Sequence, residues 1–449
     1  MLALTSPEPF TDLGAEEIEA LAERHGTPLF VYDDAYFRAS VSAFLKTWQS
    51  AFAHPKAYLS YKTNYMPALC RSAHALGMGA DVVSGFEMEH ALRLCAARDI
   101  VFNGPLKRAG ELERAARDGI TINIDLAEEL ETLEALRSSG RITTARLGLR
   151  VNPGLPVFAA HDRSFVQAHA AKQRSAKFGW PLDDGLAGHM AERISASGFS
   201  FETVHAHLNS QITDATLFLA ALDPVLGFVA GLRASGTQIR ELNVGGGFGV
   251  PGMQRSKRGW WSALKATMGE RLEDAPDETF DMAAFTQGLA RRLHEHGLDD
   301  LCIGCEPGRY LMSAGMVLVA RVAGLKVLPE KRWVVIDAGL NILPTAAFGE
   351  RRRLRFFRAG EELPVRDGDP DCTIGGPLCF EGDIVMDHAR VPASLAAGDL
   401  VVLSDAGAYT VSRSTNFNQL RAAVAMRDGR DGTLVWRRET YDDVFCFSD

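Results

Sequence analysis

Eight short apolar runs, most of them separated by helical patterns, constrain this chain more than any other feature. They fall at 57–61, 80–84, 100–103, 120–124, 145–151, 201–208, 240–244 and 301–305. They lack polar alternation, so each reads as a strand covered on both faces. Between them, segments such as MPALCRSAHAL and LAEELETLEAL place apolar residues at helical spacing. Eight buried strands alternating with helices close most simply into a parallel (β/α)8 TIM barrel. Upstream lie a short helix with Ile18 and Leu21, ended by Gly26, a strand-like TPLFVYD, and a helix carrying Phe37, Val41, Phe44, Leu45 and Trp48. Beyond about residue 315, VLVARVAGLKVL, RWVVIDAG, DLVVLSDAG and GTLVWRRE read as strands of a second, β-rich domain.

At 449 residues and 46% hydrophobic, the chain can build a large core, and disorder is excluded. A net charge of -9 gives no positive field to hold a polyanion, so nucleic acid is not expected as a partner. Seven scattered cysteines point to a reducing cytoplasm rather than a disulfide scaffold. No basic leader opens the chain and no run of about 18 uninterrupted apolar residues occurs, so neither export nor a membrane span is expected.

In such a barrel the C-terminal strand ends build the active site. Lys62 ends the first strand in YLSYKTN; taken alone it reads as a solvated surface charge, and its position does not by itself assign it a role. His205 and His207 share one face of a strand but lack a third ligand at metal spacing, so no metal is expected. Gly245, Gly246 and Gly247 in LNVGGGFG let backbone amides approach an anion, without the Lys and Ser/Thr of a nucleotide loop. Glu306 and Arg309 follow the eighth strand in CEPGRY, and a structural ion pair is the plain alternative for them. Cys302 and Cys305 form one isolated CxxC, which supports neither zinc nor a redox centre. An anion loop, a lysine able to form a Schiff base and a nearby carboxylate together suit pyridoxal 5'-phosphate.

The ordered motifs YLSYKTN, GADVVSGFE, VFNGPLK, LRVNPG, SAKFG, HAHLNSQ, LNVGGGFG, EPGRY, VVIDAGLN, GGPLCFEGD and GAYTVSRSTNFN run from about residue 27 to about 420. They resemble the fold-type III pyridoxal-phosphate decarboxylases, most closely the diaminopimelate branch, whose barrel is alanine racemase-like. The resemblance implies a barrel domain over 30–312 and a β-rich domain of 1–29 plus 313–449. It implies Lys62 as the Schiff-base lysine, His207 stacked on the cofactor ring and Glu306 on the pyridine nitrogen, with Asp81, Ser210, Gly246, Gly247, Gly308, Arg309 and Tyr409 completing the cofactor site. Cys379 would reprotonate the α-carbon after carbon dioxide leaves, and would come from the partner subunit of a homodimer. Glu306 separates this chain from the same-fold racemases, which place an arginine by the ring nitrogen.

Two substrate-facing positions depart from that pattern. Thr345 stands where an arginine binds the distal carboxylate, and Phe380 where an acid grips the distal amine. Glu381, Asp383 and Arg413 are the remaining candidates for substrate contact. Asn209 replaces a usual glycine near the phosphate. Arg351, Arg353 and Arg355 alternate along GERRRLRFFRAG and either edge a strand or receive a polycarboxylate. The resemblance thus implies α-decarboxylation of meso-diaminopimelate, with a citrate-conjugated diamino acid of siderophore assembly as the alternative. A racemase and a non-catalytic binding homologue are more distant readings. The stretch 251–280 reads as an insertion that either faces substrate or lies on the surface.

Overall fold

The computed structural model describes residues 8–154, 174–251, 280–428 and 432–446, with the backbone of 254–255. Nearly all of the 251–280 insertion and part of the segment before SAKFG lie outside the described residues. The chain forms two compact units. One is built on Ser40–Gly249 and Thr279–Tyr310, the other on Leu4–Ala39 and Leu311–Asp449.

The first unit is the barrel. Its strands are β1 (His54–Ser60), β2 (Gly79–Val82), β3 (Ile100–Phe102), β4 (Thr121–Ile124), β5 (Arg146–Asn152), β6 (Ser200–Ala206), β7 (Glu241–Asn243) and β8 (Cys302–Cys305). Every neighbour is parallel, and the pairings of β4 with β5 and of β8 with β1 close the ring. Each strand matches one of the eight apolar runs, because strands covered by helices outside and by side chains inside have no solvent face to encode. At the N-terminal end of the ring, Glu241 accepts from Lys56 Nζ at 2.9 Å and from Tyr58 Oη at 2.7 Å, so that end satisfies its own charge.

One helix, Ala215–Ala234, is long and apolar enough to cross a membrane by length and composition. Its Phe218, Leu222, Val225, Leu226 and Val229 are buried in the fold. Asp214 caps it, accepting from the Thr216 and Leu217 N–H groups. Phe218 leads into a knot of rings around Phe248, with centroids 5.5 Å to Phe218, 5.2 Å to Phe280, 5.6 Å to Phe285 and 6.1 Å to Tyr310. Phe248 directly follows the glycine run, so this knot fixes where the glycine loop ends.

In the second unit, the strand Leu29–Tyr32 runs antiparallel to Met316–Val327 and parallel to Ala423–Met426. The sequence border at residue 30 therefore moves into the helix Asp34–Ala51, because the backbone groups of Leu29–Tyr32 are answered here. The helix Ala15–His25 buries Ile18, Leu21 and Ala22 on this sheet against Val317, Val319, Phe357, Leu400 and Val402. Arg427 bonds Glu17, Asp12 and Asp33 and so ties the N-terminal segment to the sheet edge.

The arginine alternation does not survive folding as one strand face. Glu350–Arg351 and Leu354–Arg358 are separate strands, broken at Arg352 and Arg353. Arg351 donates to the His388 carbonyl at 3.0 Å. Arg353 reaches Glu8 at 2.5 Å, and Arg355 donates to the carbonyls of Phe10 and Leu13 while gripping Glu362 with two bonds. These cations hold the N-terminal segment and the sheet edge, which overturns their reading as a receptor for a polycarboxylate.

Truncating Phe248 should cost the first unit about 3–5 kcal/mol, because a fully buried ring with five aromatic neighbours leaves a cavity that cannot collapse. Denaturant unfolding of Phe248→Ala checks this; a loss under about 1 kcal/mol would mean that the ring does not anchor the loop.

Candidate active site

The C-terminal ends of β1, β2, β3, β6, β7 and β8 converge on one buried polar layer. Asp81, in β2, is fully buried, and its Oδ2 accepts from Ser60 Oγ and from Lys62 Nζ, each at 2.8 Å. Lys62 follows the end of β1 and keeps about a third of its side chain exposed (32%), so its amine is fixed from below and open from above. Asn103, just after β3, donates from Nδ2 to Asp81 Oδ1 at 2.7 Å and to Glu306 Oε1 at 2.8 Å. Asn123 Nδ2 donates to Asn103 Oδ1 at 2.7 Å. Asn243, the last residue of β7, donates to Glu306 Oε1 at 3.0 Å.

Glu306 is buried, and a carboxylate in such a place survives only if its charge is answered. His205 Nε2 lies 3.2 Å from Oε1 and His207 Nδ1 lies 3.6 Å from Oε2. Burial pushes the Glu306 carboxyl upward, but His205, His207 and Lys62 reverse that and hold it well below the usual carboxylate range. Its Oε2 is enclosed and has no hydrogen-bond partner among the described residues. The His207 Nδ1 accepts from the Gly246 N–H at 3.2 Å, which leaves Nε2 to carry the proton of the neutral ring. Burial lowers the His207 pKa, with Glu306 opposing and Lys62 assisting, so the ring is neutral at pH 7.

Glu306 also supplies the third ligand-type group that the sequence lacked beside His205 and His207, and the three offer donor atoms within 4.8 Å of one another. Oε1 is already taken by two asparagine amides. Only Oε2 remains for a partner outside the protein.

Gly245 and Gly247 adopt positive φ, +68° and +97°. A Cβ on Gly246 would strike the Glu306 carbonyl and one on Gly247 the Asn209 carbonyl, so only glycine lets this loop lie against both segments. Arg309 is buried in the first turn of the helix Gly308–Met312. Asn209 turns its Oδ1 onto the Ser210 N–H at 2.8 Å, taking up an amide beside the loop. These features fit pyridoxal phosphate: an unanswered buried carboxylate oxygen for a ring nitrogen, a lysine aimed upward beside it, and a glycine loop with Arg309 for a phosphate.

The other expected site residues belong to the second unit. Cys379, Phe380 and Glu381 are exposed on the turn after the strand Asp371–Gly375, Phe380 to 56%. Asp383 is buried, and its carboxylate accepts from the Leu340 and Leu378 N–H groups at 2.7 and 2.8 Å. That corrects its reading as a substrate contact: the carboxylate clamps the turn bearing Cys379 to the DAGLN loop. Thr345 is likewise buried and accepts from Arg352 Nη2 at 3.2 Å, while Arg352 also donates to the carbonyls of Ser404 and Asp405. Thr345 is thus held within the second unit, with one lone pair of its hydroxyl taken by Arg352. Arg413 lies over the Phe348 ring, 5.4 Å from its centroid, and Tyr409 has φ +56°.

Sequence reasoning missed Asn103, Asn123 and Asn243, whose shared signal is a lone asparagine within the last two residues of a buried strand or directly after it. It also missed Glu87, which stands in GADVVSGFE and accepts from the Val83 N–H at 2.8 Å. Burial pushes the Glu87 carboxyl up to about 7; the Val83 bond opposes this and Asp81 adds to it.

A family model, pyridoxal-dependent decarboxylase, pyridoxal binding domain, matches residues 38–313. The chain is 27% identical over 428 residues to a diaminopimelate decarboxylase of Staphylococcus aureus, covering 94% of this chain and 93% of that protein. It is 29% identical to one of Pseudomonas aeruginosa, covering 96% and 94%. The crystal structure of the Methanocaldococcus jannaschii diaminopimelate decarboxylase superposes with a TM-score of 0.80 at 25% identity, covering 96% of this chain and 94% of that one. The Helicobacter pylori enzyme complexed with L-lysine gives 0.75 at 25% identity, covering 95% and 98%.

Because Glu87 is raised in the fold, the folded protein holds more protons than the unfolded chain between about pH 4.5 and about pH 7, and stability falls as pH rises through that window. Glu87→Gln should remove this component, so its stability relative to wild type rises from about pH 5 to about pH 8, by up to about 3 kcal/mol. Denaturant unfolding at several pH values reads the difference, and a constant difference would return Glu87 to an ordinary carboxyl.

Proposed function

Since the chain belongs to the pyridoxal-dependent decarboxylase family, we propose that this pyridoxal-phosphate-dependent amino-acid decarboxylase acts on meso-diaminopimelate, with Lys62, Asp81, His207 and Glu306 holding the cofactor. The observation that carries the reading is the enclosed Glu306 Oε2, aimed into the same layer as the Lys62 amine. Pyridoxal phosphate, when bound, supplies a protonated pyridine ring that draws electrons from the α-carbon as the carboxylate leaves.

The residues divide the work by position. Asp81 fixes the Lys62 Nζ where it can bond the cofactor and give way to an incoming amino group. Glu306 stays ionised and holds a proton on the ring nitrogen, since an opposite charge raises that nitrogen's pKa. His207, neutral and oriented by the Gly246 N–H, offers a flat face for stacking. The loop at Gly246 and Gly247, with Ser210, Gly308 and Arg309, receives the phosphate. Cys379 delivers the proton that replaces the lost carboxylate, and its exposure suits a donor that must reach substrate.

The substrate reading draws on relatives named diaminopimelate decarboxylase over nearly the whole chain, and on the lysine-bound neighbour, since lysine is what α-decarboxylation of that substrate leaves. A second reading has one observation behind it: the exposed Phe380 offers an apolar surface, which suits a substrate whose distal end lacks a free amine. We read the enzyme as a homodimer that shares active sites across a two-fold axis. The exposed Phe348, Phe380, Phe417 and Leu420 of the second unit support a covering second copy. Free cysteines support a reducing, cytoplasmic setting.

The purified protein, loaded with pyridoxal phosphate, should release carbon dioxide from meso-diaminopimelate and yield lysine. If the loaded protein holds its cofactor yet releases none, the substrate reading fails and amino acids with a capped distal end take its place. Lys62→Ala should lose the visible absorbance of lysine-bound cofactor; a variant that keeps it would overturn the assignment of Lys62.

A further inference from the structure

Among the described residues, Asn103 is the group bonded to both carboxylates of the buried layer. Its Nδ2 donates one hydrogen to Asp81 Oδ1 and the other to Glu306 Oε1, at 2.7 and 2.8 Å. Ionised carboxylates only accept, so the amide cannot be turned over: its NH2 must face both acids. The Oδ1 is then fixed by the Asn123 Nδ2 at 2.7 Å. Asp81 in turn holds Lys62 Nζ, while the free Oε2 of Glu306 marks the other end of the layer.

One NH2 between two carboxylates gives each acid a hydrogen without a proton being added to the site. Lys62 lies on the Asp81 side, and His205 Nε2 lies 3.2 Å from Glu306 Oε1 on the other. Without Asn103 the two oxygens would face each other, and the simplest repair is a proton shared between them, which removes a negative charge from the layer.

We infer that Asn103 is a positioning residue that holds Asp81 and Glu306 on one amide, and so couples the lysine end and the ring-nitrogen end of the cofactor site as one unit. This rests on the reading of Lys62 and Glu306 given above. Asn103 touches neither substrate nor the reacting atoms; it acts through the two acids.

The test uses full-length protein loaded with pyridoxal phosphate. Asn103→Asp places a third carboxyl between two others, so its pKa is raised and it donates one hydrogen only while protonated. Its turnover relative to wild type should fall at least tenfold as pH rises from about 6 to about 9. Asn103→Leu removes the donors at every pH, so its deficit in turnover should be present throughout, with KM changed less than about threefold. In both variants the pH at which the bound cofactor's absorbance titrates should move by about one pH unit or more from wild type.

A merely structural role predicts a lower unfolding midpoint with an unmoved cofactor titration and a pH-independent ratio for Asn103→Asp, and that result would overturn the inference. Should a variant fail to fold, the other decides: either one, folded and loaded, with a wild-type cofactor titration refutes it. If Lys62→Ala retained the visible absorbance of lysine-bound cofactor, the reading of the site itself would fall instead, so the two failures are distinguishable.

Discussion

Placing an ionised carboxylate inside a barrel of apolar strands costs several kcal/mol after relaxation, and the interior must return that through donors fixed in advance. Glu306 is answered by Asn103 and Asn243, with His205 beside the same oxygen, and none of these comes from the strand that Glu306 itself follows. Such a set can meet only where many strand ends lie at one level. A closed ring of parallel strands supplies that level, because all eight C-termini share one end. The barrel is therefore the condition under which this carboxylate can exist without its proton.

The two ends of the ring use charge in opposite ways. Glu241, at the N-terminal end, is closed off by Lys56 and Tyr58, and its interactions serve only the protein. At the C-terminal end the same kind of acid is satisfied on one oxygen and left open on the other. An enclosed acceptor without a partner costs stability, and such a cost persists where a ligand removes it. Lys62 follows the same logic: Asp81 fixes its amine from below, but a third of the side chain stays accessible. The asymmetry between one closed and one open oxygen is what gives Glu306 a direction.

Much of this was legible in the chain. The strands were visible because helices cover them outside, which forces continuous apolar runs, and the glycine loop read as an anion site by itself, whereas the roles expected of Lys62, His207 and Glu306 came from the family motifs and not from their positions. Asn103, Asn123 and Asn243 were not legible, because asparagine after an apolar run also signals a turn. Their meaning depends on the cross-ring distance between β3, β4, β7 and β8, which no local pattern encodes. The arginines 351, 353 and 355 failed for a related reason. Their alternation presumed one continuous strand, but the chain breaks at Arg352 and Arg353, and Arg352 turns into the unit's interior to serve the carbonyls of Ser404 and Asp405. Border prediction near residue 30 failed because a strand's sheet membership is set by its hydrogen-bond partners, and those of Leu29–Tyr32 come almost three hundred residues later or more.

Specificity is a difference in affinities, so it matters which side chains of the second unit are left uncommitted. Thr345 is neutral and internally bonded, and Phe380 is an exposed ring, so neither gives a charge-assisted contact to a distal group. Asp383 cannot substitute for either, since both its oxygens are already held by backbone amides, and turning it toward a ligand would release the Leu340 and Leu378 N–H groups. The arginines nearby in sequence are committed in the same way, to Glu8, Glu362 and main-chain carbonyls. What remains uncommitted on the turn beside Cys379 is apolar surface and the exposed Glu381. Discrimination there would rest on shape and on exclusion of water more than on paired charge, and an apolar contact separates ligands by only about 1–3 kcal/mol per methylene.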